Sequence, residues 1–282
     1  MSTHEDLLTM IVYPNAKINI GLNIENRRND GFHDISTLFY PLKGLKDILE
    51  ITVVENQGQP IIFNQTGIEV DCSASNNLCI KAYNLFSKVH NLPPMAMHLH
   101  KIIPIGAGLG GGSADGAFAL QTINALVGKP LSIDQLEELA LELGSDCPFF
   151  IRNTPSIGRG RGEKLQQIDI SLERYYILIV NPGIHVNTGK AYSLSQPKKW
   201  ETSIDILLKN DITKWKYSVI NDFEKVVFAQ YPEIEKLKLE MYNLGAIYAA
   251  MSGSGSTVFG IFKTEPDYKS NFQNFFLKVI TL

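Results

Sequence analysis

Five glycines stand within seven residues of one stretch, Gly106–Gly112, which lies between Pro104 and Ser113. This stretch constrains the fold most, because glycines have no side chain to bury and lose the most backbone entropy when they are ordered. The alternating run Met95–His100 before it predicts a strand, and the apolar periodicity of residues 113–127 after it predicts a helix. The chain is therefore expected to form a strand, a glycine loop and a helix in that order.

A glycine loop of this kind lets backbone N–H groups approach a ligand, and the helix that follows adds the positive end of its dipole. The stretch is typical of a phosphate site. Ser113 would lie in the first helical turn, where its hydroxyl could reach a phosphate oxygen or a metal ion. The predicted phosphate-binding residues are Pro104, Gly106, Ala107, Gly108, Leu109, Gly110, Gly111, Gly112 and Ser113.

Other interpretations of this loop exist. A tight strand-to-helix turn that binds no ligand would also use glycines. Gly106, Gly108 and Gly111 match the G-x-G-x-x-G pattern of dinucleotide-binding folds, but no second strand ending in an acidic residue follows about 20 residues later. The sequence has no Walker A loop and neither the His-Arg-Asp nor the Asp-Phe-Gly triplet, which excludes P-loop NTPases and protein kinases. The loop indicates phosphate without naming the nucleotide-binding family.

The length of 282 residues accommodates two domains. Proline, glycine and charged residues cluster between Asn153 and Glu173, so we expect a domain with the glycine loop at residues 1–160 and a second domain at residues 161–282. Strands and helices do not alternate strictly, which predicts an α+β fold in both halves.

Charge and cysteine usage limit the class of partner. A net charge of −3 gives no electrostatic reason to expect nucleic acid or an anionic membrane. No apolar run reaches the roughly 18–20 residues of a membrane span, and the polar, acidic start Met1–Asp6 does not look like a secretory signal. Cys72, Cys79 and Cys147 are too few and too scattered for a disulfide framework or a zinc pair. We expect a reduced, cytoplasmic protein without a nucleic-acid or membrane partner.

Several further elements can be predicted. The spacing of apolar residues predicts a helix over Asn77–His90. Another helix is expected to begin at Ser132, with capping-box spacing to Gln135, and to be stopped by Gly144, as a C′ glycine would stop it. A single amphipathic helix is expected over residues 222–242. Residues 246–262 form two apolar segments on either side of a glycine-serine turn.

Three motifs in order resemble those of the galactokinase, homoserine kinase, mevalonate kinase and phosphomevalonate kinase superfamily: Pro14–Leu22, the glycine loop and Met251–Phe259. Within it, Arg27–His33 and Leu143–Phe150 resemble segments of the 4-diphosphocytidyl-2-C-methyl-D-erythritol kinases. Phe32 stands where that family usually has Tyr. The resemblance extends over nearly the whole chain.

This resemblance implies a two-domain small-molecule kinase. Such an enzyme transfers the γ-phosphoryl group of ATP to the 2-hydroxyl of 4-diphosphocytidyl-2-C-methyl-D-erythritol, in the non-mevalonate route to isoprenoid (terpenoid) precursors. It implies Mg²⁺ held mainly through the ATP phosphates with Ser113 or Asp146 nearby, and no protein-only metal cage is visible in the sequence. We expect a monomer or weak homodimer. The alternatives are another kinase of the superfamily, of the mevalonate or homoserine type, or a non-catalytic ATP-binding member.

Lys17 and Asp146 are the predicted catalytic residues. Lys17 lies in an apolar strand, and lysines are rarely fully buried without a partner. It could stabilise the transferred phosphoryl group beside Asp146, or it could be an edge-strand lysine that discourages aggregation. Asp146 lies in a turn between Gly144 and Pro148; it could orient the acceptor hydroxyl and take its proton, or it could only form the turn.

The resemblance also implies the residues that bind the acceptor. His33 would read the cytosine edge, because an imidazole offers a donor and an acceptor. Phe32 and Tyr192 would stack on the base, and Asn19, which shares a strand face with Lys17, would hold the acceptor. A lone histidine is otherwise more often a surface or core residue.

Overall fold

The structure is a computed structural model that describes residues 8–55, 58–69, 76–268 and 271–282. The acidic start Met1–Asp6 and Cys72 lie outside the described residues. The strands are β1 (Thr9–Val12), β2 (Asn15–Arg27), β3 (His33–Lys46), β4 (Ile48–Val53), β5 (Ile61–Gly67), β6 (Met95–Lys101), β7 (Ser156–Gly160), β8 (Lys164–Gln167), β9 (Tyr176–Asn181), β10 (Tyr248–Met251), β11 (Val258–Phe262) and β12 (Phe276–Thr281). The helices are α1 (Leu78–Val89), α2 (Gly111–Leu126), α3 (Ile133–Leu143), α4 (Cys147–Arg152), α5 (Thr188–Leu194), α6 (Ile204–Leu207), α7 (Ile212–Ser218), α8 (Phe223–Gln230) and α9 (Pro232–Asn243).

The chain forms two compact units. The first consists of Met1–Asn15, Lys46–Ile103 and Gly111–Asn153, and the second of Ala16–Leu45, Pro104–Gly110 and Thr154–Leu282. The glycine loop is thus divided between them. The predicted domains, 1–160 and 161–282, stay a prediction: compactness groups residues 16–45 with the C-terminal part of the chain.

In the first unit, a sheet in the order β1-β4-β6-β5 is accompanied by helices α1 to α4. Strand β6 pairs antiparallel with β4 and parallel with β5. Met95, Met97 and Leu99 of β6 are buried, whereas His98 between them is exposed. The alternation that predicted this strand therefore reflects one face packed on the core.

The helix ends of this unit test two local predictions. Ser132 accepts a hydrogen bond from the N–H of Gln135, whose side chain bonds back to Ser132, so the capping box is confirmed. Gly144 ends α3, so the predicted stop is confirmed; its φ of 168° is extended backbone that any residue adopts.

The second unit holds two sheets, in the orders β2-β3-β7-β8 and β10-β11-β9-β12, with helices α5 to α9. The single helix predicted over residues 222–242 was wrong, because Pro232 lacks the N–H that a continuous helix needs and instead starts α9. The two apolar segments after it are confirmed as the antiparallel pair β10 and β11. Within the described ranges, no helix combines the length and apolar character that crossing a membrane requires.

Candidate active site

The part of the glycine loop in the second unit follows a backbone path that glycines permit. Gly106, Gly108 and Gly110 have φ values of 65°, 79° and 70°. A Cβ on Gly108 would lie 2.0 Å from the backbone oxygen of Ser252. Gly108 is therefore required by close packing as well as by conformation.

Strand β2 runs against this loop and carries Lys17. The backbone N–H of Lys17 donates to the carbonyl oxygen of Leu109 at 2.9 Å, and its ammonium donates to Oδ1 of Asn19 at 2.5 Å. Lys17 is only 3% exposed, and its Nζ lies 5.2 Å from the centroid of the Phe39 ring. Because Lys17 is buried, it fits a functional lysine better than an edge-strand lysine, which would have to be exposed to solvent to discourage aggregation.

Asn19 links the strand to a second loop. Its backbone N–H donates to the Oγ of Ser252 at 3.1 Å, and that hydroxyl donates to the carbonyl oxygen of Gly108 at 2.7 Å. Its side-chain Nδ2 donates to the Oγ1 of Thr37 at 3.1 Å. Ser252 was missed as a positioning residue, although it lies in the motif Met251–Phe259. Asn19 and the glycine loop are thus held together as one hydrogen-bonded group.

The loop between β10 and β11 is itself fixed from the start of α8. The side chain of Asn221 donates to the carbonyl oxygens of Met251 and Gly253, both at 2.8 Å. Oε1 of Glu224 accepts the N–H of Met251 at 2.9 Å, and its Oε2 accepts from Lys238. Burial raises the pKa of Glu224, and Lys238 opposes that rise. The hairpin loop next to Gly108 is therefore rigidly supported.

Ser113 and Asp146 both lie in the first unit. Helix α2 begins at Gly111, so Ser113 lies in its first turn, as predicted. Asp146 precedes α4 and is half-buried, and its carboxylate does not cap that helix. Burial raises the pKa of the Cys147 thiol to about 12, against a hydrogen bond from the Ser113 hydroxyl. Ser113 therefore contacts the residue that directly follows Asp146. The predicted pairing of Lys17 with Asp146 stays a prediction.

His33 and Tyr192 are brought together in the second unit. Their rings stack with centroids 4.8 Å apart and planes 15° apart, and Phe223 packs edge-on against Tyr192 at 4.7 Å. Burial lowers the pKa of His33, and the positive charge of Arg27 lowers it further. The shift favours the neutral ring, which has one donor nitrogen and one acceptor nitrogen.

Phe32 lies next to His33 in sequence but has different neighbours. Its ring is 50% exposed, and the guanidinium carbon of Arg161 lies 4.7 Å from its centroid. Tyr192 meets His33 face to face, so in this structure one face of Tyr192 is covered by imidazole. A base held between Phe32 and Tyr192 stays a prediction.

Two family models and a known protein are similar to this chain. The family model described as GHMP kinases N terminal domain matches residues 77–153, and the one described as GHMP kinases C terminal matches residues 199–273. A 4-diphosphocytidyl-2-C-methyl-D-erythritol kinase of Parabacteroides distasonis is 46% identical over 260 residues, covering 92% of this chain and 94% of the relative.

The chain belongs to the 4-diphosphocytidyl-2-C-methyl-D-erythritol kinase family.

Solved structures agree with this assignment to the 4-diphosphocytidyl-2-C-methyl-D-erythritol kinase family. A crystal structure of a 4-(cytidine 5'-diphospho)-2C-methyl-D-erythritol kinase superposes with a TM-score of 0.77 at 30% identity, covering 89% of this chain and 90% of that one. The homoserine kinase of Cytophaga hutchinsonii superposes with a TM-score of 0.70 at 16% identity, covering 99% and 95%, and shares the fold alone. The resemblance of the motifs and the α+β fold of a two-domain small-molecule kinase are confirmed.

Membership of the 4-diphosphocytidyl-2-C-methyl-D-erythritol kinase family implies a magnesium ion that accompanies ATP. Among the residues that the structure describes, no group of three His, Cys, Asp or Glu side chains could hold a metal ion. Asp146 and Ser113 offer a carboxylate and a hydroxyl, and magnesium is commonly bound by one or two carboxylates plus substrate phosphates. The residues present therefore fit an ion held mainly through a nucleotide.

Proposed function

We propose that the protein transfers the γ-phosphoryl group of ATP to the 2-hydroxyl of 4-diphosphocytidyl-2-C-methyl-D-erythritol, a step towards isoprenoid precursors. The relatives that carry this name support the choice of substrate, since the similarity extends over nine-tenths of both chains. The observation that carries the proposal is Lys17, a buried ammonium bonded to Asn19 and joined through its backbone to Leu109 of the glycine loop.

In this proposal the backbone of residues 106–113 binds the phosphates of ATP. Phosphoryl transfer needs little covalent chemistry from the protein and depends on positioning and charge stabilisation. Lys17 would stabilise the negative charge that develops on the transferred group. Bound Mg²⁺, held by the ATP phosphates with Asp146 or Ser113, would neutralise phosphate charge.

Asp146 would orient the acceptor hydroxyl and receive its proton. A carboxylate suits this role, because its oxygens can accept a hydrogen bond from a hydroxyl that is otherwise a poor nucleophile.

The cytidine end of the acceptor would be read by His33. A neutral imidazole that is held flat against Tyr192 presents its edge in a fixed direction, so its donor and acceptor can match one base edge. The half-exposed ring of Phe32 would stack on the base, and Asn19 would contact the acceptor near the reacting hydroxyl.

Assay of the purified protein with candidate acceptors tests this function. We expect ATP-dependent phosphorylation of 4-diphosphocytidyl-2-C-methyl-D-erythritol, competitive inhibition by cytidine diphosphate, and no turnover of mevalonate or homoserine. Turnover of either of those alcohols, without inhibition by cytidine diphosphate, would identify another kinase type of the superfamily. ATP binding without turnover of any acceptor would identify a non-catalytic member.

Asp146→Asn tests the catalytic role. We expect kcat to fall on the order of 10²-fold, the lower end of what general acid–base catalysis contributes, with both KM values little changed. Asp134→Asn is the matched control, since Asp134 is a carboxylate of the same unit whose side chain is 83% exposed and pairs with Arg152 at 2.7 Å. A variant Asp146→Asn that turns over as fast as the control would contradict the assignment.

Three further expectations remain predictions. They are the boundary at residue 160, the monomeric or weakly dimeric state, and the cytoplasmic location. Sedimentation velocity at several protein concentrations addresses the second of these.

A further inference from the structure

A buried ionic cluster joins the two ends of the glycine loop within the first unit. It consists of Lys101, Asp47 and Asp115, which are 3%, 0% and 3% exposed. We call these three side chains the clasp. Lys101 ends β6 just before the loop, and Asp115 lies in the second turn of α2 just after it.

The clasp fixes the backbone where the chain enters the loop. Oδ1 of Asp47 accepts the N–H of Ile102 at 2.5 Å and the N–H of Ile103 at 2.8 Å. Oδ2 of the same carboxylate accepts from the ammonium of Lys101. A single buried carboxylate thus holds three consecutive residues at the loop entry.

The clasp also fixes the backbone where the chain leaves the loop. Nζ of Lys101 donates to Oδ2 of Asp115 at 2.8 Å, which ties the end of β6 to α2. A Cβ on Gly111, the first residue of α2, would lie 2.9 Å from that same Nζ. The ammonium therefore packs directly against the first helical turn, and a glycine leaves room for it.

The charges of the clasp do not balance, because two buried carboxylates share one ammonium. Asp47 has three hydrogen-bond donors, whereas Oδ1 of Asp115 accepts no hydrogen bond from the residues that the structure describes. Burial raises the pKa of Asp115, and the charge of Lys101 only partly opposes this. A protonated Asp115 would neutralise the cluster and could donate to Asp47.

Stability alone does not account for such a cluster. Burying an ion costs several kcal/mol even after relaxation, and apolar residues of similar volume often stabilise a core as well or better. Displacing one partner of a buried ion pair leaves an uncompensated buried charge, which disfavours other arrangements of the two groups. The position of the clasp, at both ends of one loop, indicates what that geometry serves.

We propose that the clasp is a positioning device for nucleotide binding. By fixing residues 101–103 and the first two turns of α2, it sets the separation of the loop ends and so the directions of the N–H groups between them. Asp115 and Lys101 act through the loop and do not touch the nucleotide. This inference rests on the proposed function, since it assumes that the loop binds the phosphates of ATP.

Calorimetric titration with a non-hydrolysable ATP analogue tests the clasp. Asp115→Ala leaves Lys101 paired with Asp47 but releases α2, and we expect the Kd for the analogue to rise about tenfold or more, which corresponds to a loss of about 1.4 kcal/mol. Asp115→Asn keeps the shape and neutrality of a protonated aspartic acid, and we expect affinity within about threefold of wild type. The KM for the cytidyl acceptor should be unchanged in both variants.

Asn124→Ala is the matched control for lost stability. Asn124 lies at the other end of α2, where its side chain bonds both the N–H and the carbonyl oxygen of Leu131 at 3.0 Å. This variant should lower the melting temperature without changing affinity for the analogue. If Asp115→Ala is too unstable to titrate, Asp115→Leu, which fills the same space without a polar group, gives the same comparison.

The outcomes separate the clasp from the function on which it rests. A wild-type protein that does not bind the analogue contradicts the proposed function. Wild-type binding with undiminished binding by Asp115→Ala or Asp115→Leu contradicts the clasp alone. An Asp115→Asn variant as weak as Asp115→Ala would also overturn it, because neutral geometry would then not suffice.

Discussion

Two glycines one turn apart on α2 should respond oppositely to the same substitution. An added Cβ at Gly112 meets no atom within 4 Å, whereas at Gly116 it would lie 2.9 Å from the Cβ of Leu78 and 3.3 Å from Cδ1 of Leu143. Both glycines are helical, so alanine should gain roughly 0.5–1 kcal/mol of backbone entropy at either position. The difference between the variants then comes from what surrounds each added methyl group.

At Gly112 the only expected loss is in nucleotide affinity. The open space there is where phosphate is proposed to lie, so the methyl group should intrude on the ligand while the protein gains up to about 1 kcal/mol, or roughly 2–4 °C in melting temperature. If Kd rises tenfold, stabilisation by the analogue at 100 times the wild-type Kd falls from about 2.7 to about 1.4 kcal/mol.

At Gly116 the expected loss is in stability. Carbon atoms pack best about 3.5–4.0 Å apart, and overpacking costs roughly 1–3 kcal/mol, which outweighs the gain in helix propensity. We expect a net loss of about 1 kcal/mol and a melting temperature lower by roughly 2–4 °C, with affinity for the analogue retained.

Differential scanning calorimetry of both variants, with and without the analogue, measures these four quantities. A Gly112→Ala variant that is stabilised by the analogue as strongly as wild type would refute the reasoning, because the space over Gly112 would then not be phosphate space. A Gly116→Ala variant that lost affinity but kept its stability would refute it equally.

Two shorter predictions follow from the second unit. Because burial lowers the pKa of His33, its ring should stay neutral to a lower pH than an ordinary imidazole, so the KM for the cytidyl acceptor should be flat at neutral and alkaline pH and rise only in more acidic solution; a rise already complete at pH 7 would contradict it. Ser252→Ala should leave the N–H of Asn19 and the carbonyl of Gly108 unsatisfied and cost about 1–3 kcal/mol in urea unfolding, whereas Ser254→Ala, which loses one exposed bond, should cost little.

Local signals predicted the elements of this fold well, because the contacts that define them are local. The capping box joins Ser132 to a residue three positions later, and the alternation of β6 can be read within seven residues. One error arose where a local signal was ambiguous. The apolar periodicity of residues 222–242 continued through Pro232, although the hydrogen bonding of the helix did not.

The partners of the glycine loop could not be predicted, because they are distant in sequence. Asp47 is 54 residues from Lys101, and Ser252 is 144 residues from Gly108. Motif order identified the family, but no spacing rule indicates which hydroxyl or carboxylate will pack against which glycine. Only the three-dimensional structure could supply these contacts.

From the sequence we inferred one reason for every glycine of the loop, namely that phosphate can then approach the backbone. The structure shows that different glycines are required for different reasons. Gly108 leaves no room for a Cβ because the Ser252 carbonyl is there, and Gly111 leaves room for the Lys101 ammonium. Gly106 and Gly110 adopt positive φ. Gly112 has neither constraint, since its surroundings are open and its φ is not in the left-handed region. A glycine that the protein itself does not require is the one whose side-chain space a ligand is best placed to use.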